Sequence, residues 1–105
     1  MASPGGLKLQ GVNLTGLGNR TLAGEVAGKQ IRLYKCALFF SAAGSVQFLD
    51  GTTGMTAAIP VAANGSITWD LDGEPWLPPT TAGNALKISI PAGMSVTGNV
   101  WYTIG

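Results

Sequence analysis

Apolar and polar residues alternate one by one in short runs along most of the chain. The last run is the clearest, because from residue 94 to residue 104 apolar residues or glycine occupy every second position. A period of two is typical of a β-strand that buries one face. Sixteen glycines and six prolines interrupt every stretch that could carry the helical spacing, so we expect no long helix. The pattern predicts an all-β domain with about seven or eight short strands in two packed antiparallel sheets.

The turns between these runs also have recognisable sequences. Pro91-Ala92-Gly93 separates residues 86–90 from the last strand, and Asn64-Gly65 lies between two other apolar runs. Asn-Gly tolerates the positive φ of a tight turn. We interpret both as hairpin turns, and we expect another hairpin around residues 45–50.

Residues 30–40 are predicted to form the longest strand. In its second half, Ala37 and Phe39 lie on one face while Leu38 and Phe40 lie on the other, so both faces are expected to be buried. The single cysteine, Cys36, lies within this run and cannot form an internal disulfide. A small buried apolar residue is a better interpretation than a reactive thiol.

The remaining segments complete one domain. Apolar residues near the start suggest a first strand: Leu7, Leu9, Val12 and Leu14. Residues 72–83 include three prolines, which lack the backbone donor that a strand needs. We therefore expect an ordered crossing loop there. The chain divides into residues 1–20, an arm or first strand, and residues 21–105, the sandwich.

Charge is sparse for a soluble domain. Of the 105 residues, 46% are hydrophobic and 10% are charged, and the net charge is +1. A typical domain has about 25% charged residues, so this chain has too few to cover an ordinary monomer surface. We expect neighbouring subunits to cover part of it. The charge balance predicts no nucleic-acid partner, and the absence of a signal sequence or long apolar run predicts no membrane partner and synthesis in the cytoplasm.

Candidate chemistry is limited by the absence of histidine. Imidazole metal sites and Ser-His or Cys-His pairs are excluded, and we predict no catalytic residues, no cofactor and no enzymatic activity. Asp70, Asp72 and Glu74 resemble the start of a calcium loop. The twelfth position, which requires a bidentate Glu, is Thr81. A solvated acidic turn is therefore the favoured interpretation, over either a metal site or a glycosidase pair of carboxylates.

Three tryptophans are the candidates for binding a partner or a sugar, because an aromatic face stacks on apolar ring surfaces. Trp101 falls on the otherwise polar face of the last strand, so we expect it to be exposed or covered by another subunit. For Trp69 and Trp76 we favour packing in the core. The candidate partner-binding residues are Leu7, Leu9, Val12, Leu14, Trp76 and Trp101.

The order of segments from about residue 21 to residue 105 resembles that of small tailed-bacteriophage virion proteins of the capsid-decoration or head-fibre type. The resemblance rests on strand and turn patterns: Val26 to Leu33, Val46-Gln47-Phe48, Ile59 to Gly65, Trp76, Thr81 to Leu86 and Val96 to Val100.

The resemblance implies a jelly-roll-like sandwich that oligomerises, commonly as a homotrimer, and docks on the capsid exterior through the major capsid protein. Residues 1–20 lie outside it and would correspond to the docking arm. The expected function is therefore that of a virion structural protein that stabilises or decorates a capsid. The alternative is a receptor- or glycan-binding domain of a phage fibre, with a glycan as ligand.

Overall fold

The computed structural model describes residues 7–70, 75 and 77–105, and these form strands and loops without a helix. The strands, in chain order, are β1 (Lys8–Thr15), β2 (Gly18–Ala23), β3 (Ile31–Phe40), β4 (Gly44–Asp50), β5 (Thr53–Gly54), β6 (Ile59–Val61), β7 (Ser66–Asp70), β8 (Leu86–Ile90) and β9 (Ser95–Ile104). No helix long and apolar enough to cross a membrane occurs in this part of the chain.

The strands form two antiparallel sheets packed face to face. Sheet A has the order β1-β9-β3-β7, and sheet B has the order β2-β8-β4-β5 with β6 also paired to β4. The longer strands pass from one sheet to the other at each connection, which gives the arrangement of a jelly roll. The predicted all-β, jelly-roll-like sandwich is confirmed. Within residues 1–20, β1 is an integral strand of sheet A, and β2 crosses the boundary that we placed after residue 20.

Two of the predicted hairpins are wrong, although their turns are correct. Asn64 has a φ of 60° and Gly93 a φ of 78°, as the sequence indicates. However, β6 pairs with β4 while β7 pairs with β3, and β8 pairs with β4 while β9 pairs with β3. Each turn thus joins the two sheets, so the apolar faces of the flanking strands pack against each other instead of lying side by side. Around residues 45–50 a hairpin does form, between β4 and β5.

A bulge in β3 corrects the expectation that both of its faces are buried. The register with β9 shifts between Leu33 and Lys35. Before the bulge the buried residues are Ile31 and Leu33, and after it they occupy the opposite parity, as Cys36, Leu38 and Phe40. An extra residue reverses which side chains face inward. Phe39 therefore lies outside the core and is 50% exposed.

The core lies between the sheets and draws on nearly every long strand. Its largest fully buried side chains come from β3, β4, β8 and β9 and from the turn before β9: Phe40, Phe48, Ile31, Leu33, Leu38, Leu86, Ile88, Ile90, Met94, Val46, Val96 and Val100. The alternation predicted for the last strand is confirmed, because Val96, Val100 and Tyr102 are buried while Trp101 is only half-buried.

The segment after β7 docks along the start of β3. Thr80 is fully buried, its N–H donates to the Ile31 carbonyl at 2.9 Å, and its hydroxyl accepts from the Ile31 N–H at 2.9 Å. Residues 77–83 contain no strand, as expected for a crossing loop. Residues 72–74 and 76 of that loop lie outside the described residues.

Asp50 holds this segment at the end of β4. Its carboxylate accepts hydrogen bonds from the Thr81 N–H at 3.0 Å, the Thr81 hydroxyl at 2.7 Å and the Asn84 side-chain amide at 3.0 Å. Burial alone would raise the pKa of Asp50, but the hydrogen bonds from Thr81 and Asn84 outweigh it and lower the pKa below its ordinary value.

Gly98 lies where β9 approaches the backbone of β3 closely. Its φ is +136°, and a Cβ at this position would overlap the Ala37 carbonyl oxygen of β3. Any side chain would therefore push β9 away from β3.

We expect Gly98→Ala to lose roughly 3 kcal/mol of unfolding free energy or to fail to fold, since the added methyl meets rigid backbone at an unfavourable φ. Urea unfolding followed by circular dichroism measures this. Gly11→Ala is the control, because a Cβ at Gly11 meets only the Asn99 side-chain oxygen, at 4.0 Å. Equal stability of the two variants would contradict the interpretation of Gly98.

We expect Asp50→Asn to lower stability at pH 7 by roughly 1 kcal/mol, a modest value because the site lies near the surface. The lowered pKa means that Asp50 contributes stability above its unfolded pKa of about 3.9 and loses it as pH falls through the folded pKa. The difference in unfolding free energy between the wild type and Asp50→Asn should therefore disappear below about pH 4. Glu25→Gln, which removes a charge from an exposed loop, is the control. A stability difference that persists in acid would contradict the conclusion that the ionised Asp50 carboxylate supplies this stability.

Candidate interaction surface

The outward side of sheet A carries an apolar patch that strands β1, β9 and β3 build together. Leu9 on β1 is the cross-strand partner of Trp101 on β9, and Trp101 is the partner of Lys35 on β3. Along β3, Ala37 and Phe39 share the parity of Lys35. We call Leu9, Lys35, Ala37, Phe39 and Trp101 the outer surface.

The outer surface exposes two large apolar side chains. Leu9 is 60% exposed and Phe39 is 50% exposed, while Ala37 and Trp101 are half-buried. The residues between them are small and uncharged: Gly11, Asn13, Thr68, Ser66, Thr97 and Asn99. Next to Phe39 lies a depression of about 300 Å³ lined by Phe39, Phe40, Ser41, Asn64, Ser95 and Thr97.

The outward side of sheet B is different in character. Lys87 and Ser89 alternate with the buried residues of β8, and their cross-strand partners include Thr21 on β2 and Gln47 on β4. Apart from Leu49, the buried partner of Lys87 on β4, the outward side chains are polar and of the kind that water solvates well. The sandwich therefore has one polar side and one side with an apolar patch.

Lys35 and Trp101 make a direct contact on the outer surface. The Lys35 ammonium lies 4.8 Å from the centroid of the Trp101 ring, within the range of a cation–π interaction. Lys35 is also the cross-strand partner of Asp70 on β7. The fold thus places a basic residue from the first half of the chain beside an acidic residue from the second half.

The predicted partner-binding residues are not all on this surface. Leu9 and Trp101 belong to it, whereas Val12 is buried in the core and Leu14 packs against that core. Leu7 is half-buried just before β1. Trp76 lies outside the described residues.

Two aromatic residues were placed wrongly by sequence reasoning. Trp69, expected in the core, is 40% exposed because it lies on β7, which closes one edge of sheet A. Phe39 was assigned to the core and not to the surface. Lys35 lies on the same face of β3 as Phe39, and its charge could have indicated that this face points outward.

The cysteine and the acidic residues offer little chemistry. Cys36 is buried, as expected, and burial raises the pKa of its thiol to about 12. Of the acidic residues that resemble a calcium loop, Asp70 ends β7, and Asp72 and Glu74 lie outside the described residues. Thr81, at the twelfth position of that loop, donates hydrogen bonds to Asp50. No group of three or more potential metal ligands occurs within residues 7–70, 75 and 77–105.

The architecture defines the chain as an all-β, jelly-roll-like sandwich. Comparison with protein-family models, with curated proteins and with solved structures gives no significant match.

We expect Cys36 to resist thiol reagents in the native protein, because a buried thiol with a raised pKa supplies almost no thiolate. With an aromatic disulfide reagent at pH 8, labelling should begin only when urea unfolds the chain. The unfolded protein at the same pH is the control for reagent activity. Rapid stoichiometric labelling of the folded protein would contradict this placement of Cys36.

Proposed function

We propose that the chain is a virion structural protein, a subunit that decorates or stabilises a bacteriophage capsid by associating with itself and docking on the capsid exterior. The observation that supports this most directly is the outer surface, where Leu9, Phe39 and Trp101 are presented on a regular sheet. Covering such a surface stabilises an assembly by about 25 cal/mol per Å² of apolar area removed from water.

The composition and the architecture add support of different kinds. With 10% charged residues, the chain resembles subunits that share large interfaces more than it resembles an isolated monomer. Jelly rolls are common in viral capsid proteins, although they also occur in lectins and in cupins. That second argument is an analogy at the level of fold and adds less than the surface does.

A receptor- or glycan-binding domain of a phage fibre is the second candidate. Trp101 favours it, because an accessible indole beside a cation can stack on the apolar face of a sugar ring. Lys35 already contacts the Trp101 ring, so a sugar would have to use the remaining exposed part. For this reason the assembly function is preferred.

We expect the purified chain to cosediment with capsids of the source phage that lack it, and Phe39→Lys to weaken this binding at least about tenfold. The reason is that the variant adds a charge to an apolar contact that must lose water. Thr21→Lys adds the same charge to the polar side of the sandwich and is the matched control. Circular dichroism verifies that both variants fold.

Equal binding by Phe39→Lys and wild type would exclude the outer surface as the docking site. No binding by the wild type would contradict the proposed function. Glycan-array binding that disappears in Trp101→Ala, with the fold retained, would instead support the fibre domain.

A further inference from the structure

Strand β1 leaves a row of backbone groups facing away from the protein. The Gly16 N–H donates to the Met94 carbonyl at 3.2 Å, in register with the β1–β9 ladder. In an antiparallel pair every second residue bonds to the neighbour and the others point outward. The even-numbered residues of β1 therefore bond to β9, and the N–H and C=O groups of four residues point outward: Leu9, Gly11, Asn13 and Thr15.

The side chains around this edge agree with that assignment. The Gln10 side-chain amide donates to the Gly11 carbonyl at 3.0 Å in an exposed position. Leu9, Gly11, Asn13 and Thr15 are all exposed. The edge is thus accessible, and its one local side-chain hydrogen bond can be exchanged for another donor.

The other sheet edges in the described part of the chain are protected in the ways proteins commonly use. Strand β2 contains Arg20 and a bulge between Thr21 and Ala23. Strand β6 has three residues and includes Pro60, β5 has two residues, and β7 has five and ends in Asp70. Charges, bulges, prolines and short length each hinder strand addition. Strand β1 has eight residues in unbroken register, and Lys8 at its start is its one charged residue.

We propose that β1 pairs edge to edge with β1 of a second copy, antiparallel about a two-fold axis, to form a continuous eight-stranded sheet. This rests on the proposed self-association and deepens it by naming the surface. It also favours a dimer over the trimer that the family resemblance implies, because pairing of identical edges closes after two copies.

A second copy fits this edge better than another partner for two reasons. The outward donors and acceptors of an antiparallel strand complement an inverted copy of themselves. With the axis beside Val12, Leu9 lies opposite the partner's Thr15 and Gly11 opposite the partner's Asn13, which engages all four outward residues. In this register the two Lys8 residues lie at opposite ends, about 27 Å apart along the strands, so their charges are screened from each other.

The paired sheets also extend the outer surface. Leu9 lies on β1 and Trp101 lies beside it on β9, so the apolar patches of the two copies become continuous across the seam. Eight strands at about 4.8 Å spacing give a face roughly 38 Å wide, and a strand of eight residues is about 27 Å long. The face of the dimer therefore covers on the order of 1,000 Å², which is comparable to the roughly 800 Å² that each partner buries in a standard interface. One copy alone presents about half of that area.

Gly11→Pro tests the proposal, because it removes an outward N–H that β9 does not use. Light scattering after gel filtration, over a series of concentrations, should show a wild-type dimer and a dissociation constant raised at least about tenfold in the variant. Circular dichroism and thermal unfolding report whether the variant folds.

Two variants are matched controls. Gly11→Ala keeps the N–H and has space for the methyl group. Thr68→Pro removes an N–H at the opposite edge of sheet A. The Phe40 N–H donates to the Gly65 carbonyl at 2.9 Å, so the odd-numbered residues of β7 bond to β3 and the even-numbered ones, including Thr68, point outward. We expect both controls to remain dimeric.

The outcomes separate this inference from the proposed function. If Gly11→Pro folds and dimerises as tightly as the wild type, edge pairing is wrong. Edge pairing is also wrong if the wild type forms a trimer that Gly11→Pro leaves intact. A trimer would still support the proposed assembly function. A wild type that stays monomeric at high concentration would overturn edge pairing and the self-association in the proposed function, while capsid cosedimentation would test docking separately.

Amide exchange on the wild-type protein gives a second, independent measurement and decides the matter if Gly11→Pro does not fold. The amides of Leu9, Gly11 and Asn13 should exchange slowly in concentrated samples and quickly in dilute ones. Rapid exchange at every concentration would overturn the proposal.

Discussion

The close pairing of β3 with β9 is the contact on which the rest of the molecule depends. These two strands have ten residues each and lie side by side at the centre of sheet A. Gly98 allows the approach, since a side chain there would collide with the Ala37 carbonyl. The pair continues past the strand ends, where the backbones of Gln30 and Gly105 exchange hydrogen bonds of 2.9 and 3.0 Å. Strand β1 then adds to the free side of β9 and β7 to the free side of β3. The buried faces of β3 and β9 supply much of the apolar wall that sheet B covers.

This central pair also determines why the two sides of the sandwich differ. The bulge after Leu33 turns Cys36, Leu38 and Phe40 inward, so that Lys35, Ala37 and Phe39 face outward. Trp101 lies beside Lys35 in the register and contacts its ammonium. Sheet B has no comparable group of exposed apolar residues, since the outward positions of β8 are Lys87 and Ser89. The asymmetry follows from the register of one strand pair, and it gives the molecule one side suited to contact and one suited to water.

The sequence predicts features that depend on local spacing and misses those that depend on which strands meet. The alternation in β9 and the positive φ at Asn64 are local, and both are confirmed. Whether Asn64-Gly65 closes a hairpin or joins two sheets depends on where the flanking strands find partners, which no local pattern specifies. The bulge in β3 inserts one extra residue, so the buried side chains change from odd to even positions along the strand. In the sequence this change looks like a strand buried on both faces. The outer surface was therefore only partly predicted: Leu9 and Trp101 were candidates, while Phe39 was assigned to the core.

An open strand edge and an apolar face are each unfavourable for an isolated protein, and here they adjoin. Unpaired backbone groups on a long edge with one terminal charge, Lys8, invite association with other chains. Leu9, which is 60% exposed, adds apolar area at the same border. The remaining edges in the described part of the chain carry charges, a bulge, a proline or very few residues, so the fold has the means to protect an edge and uses them everywhere except along β1. Because the unprotected edge borders the apolar face, one association would satisfy the backbone of β1 and enlarge the outer surface together. The proposed self-pairing and the proposed docking would therefore use the same side of the sandwich, with one association preparing the surface for the other.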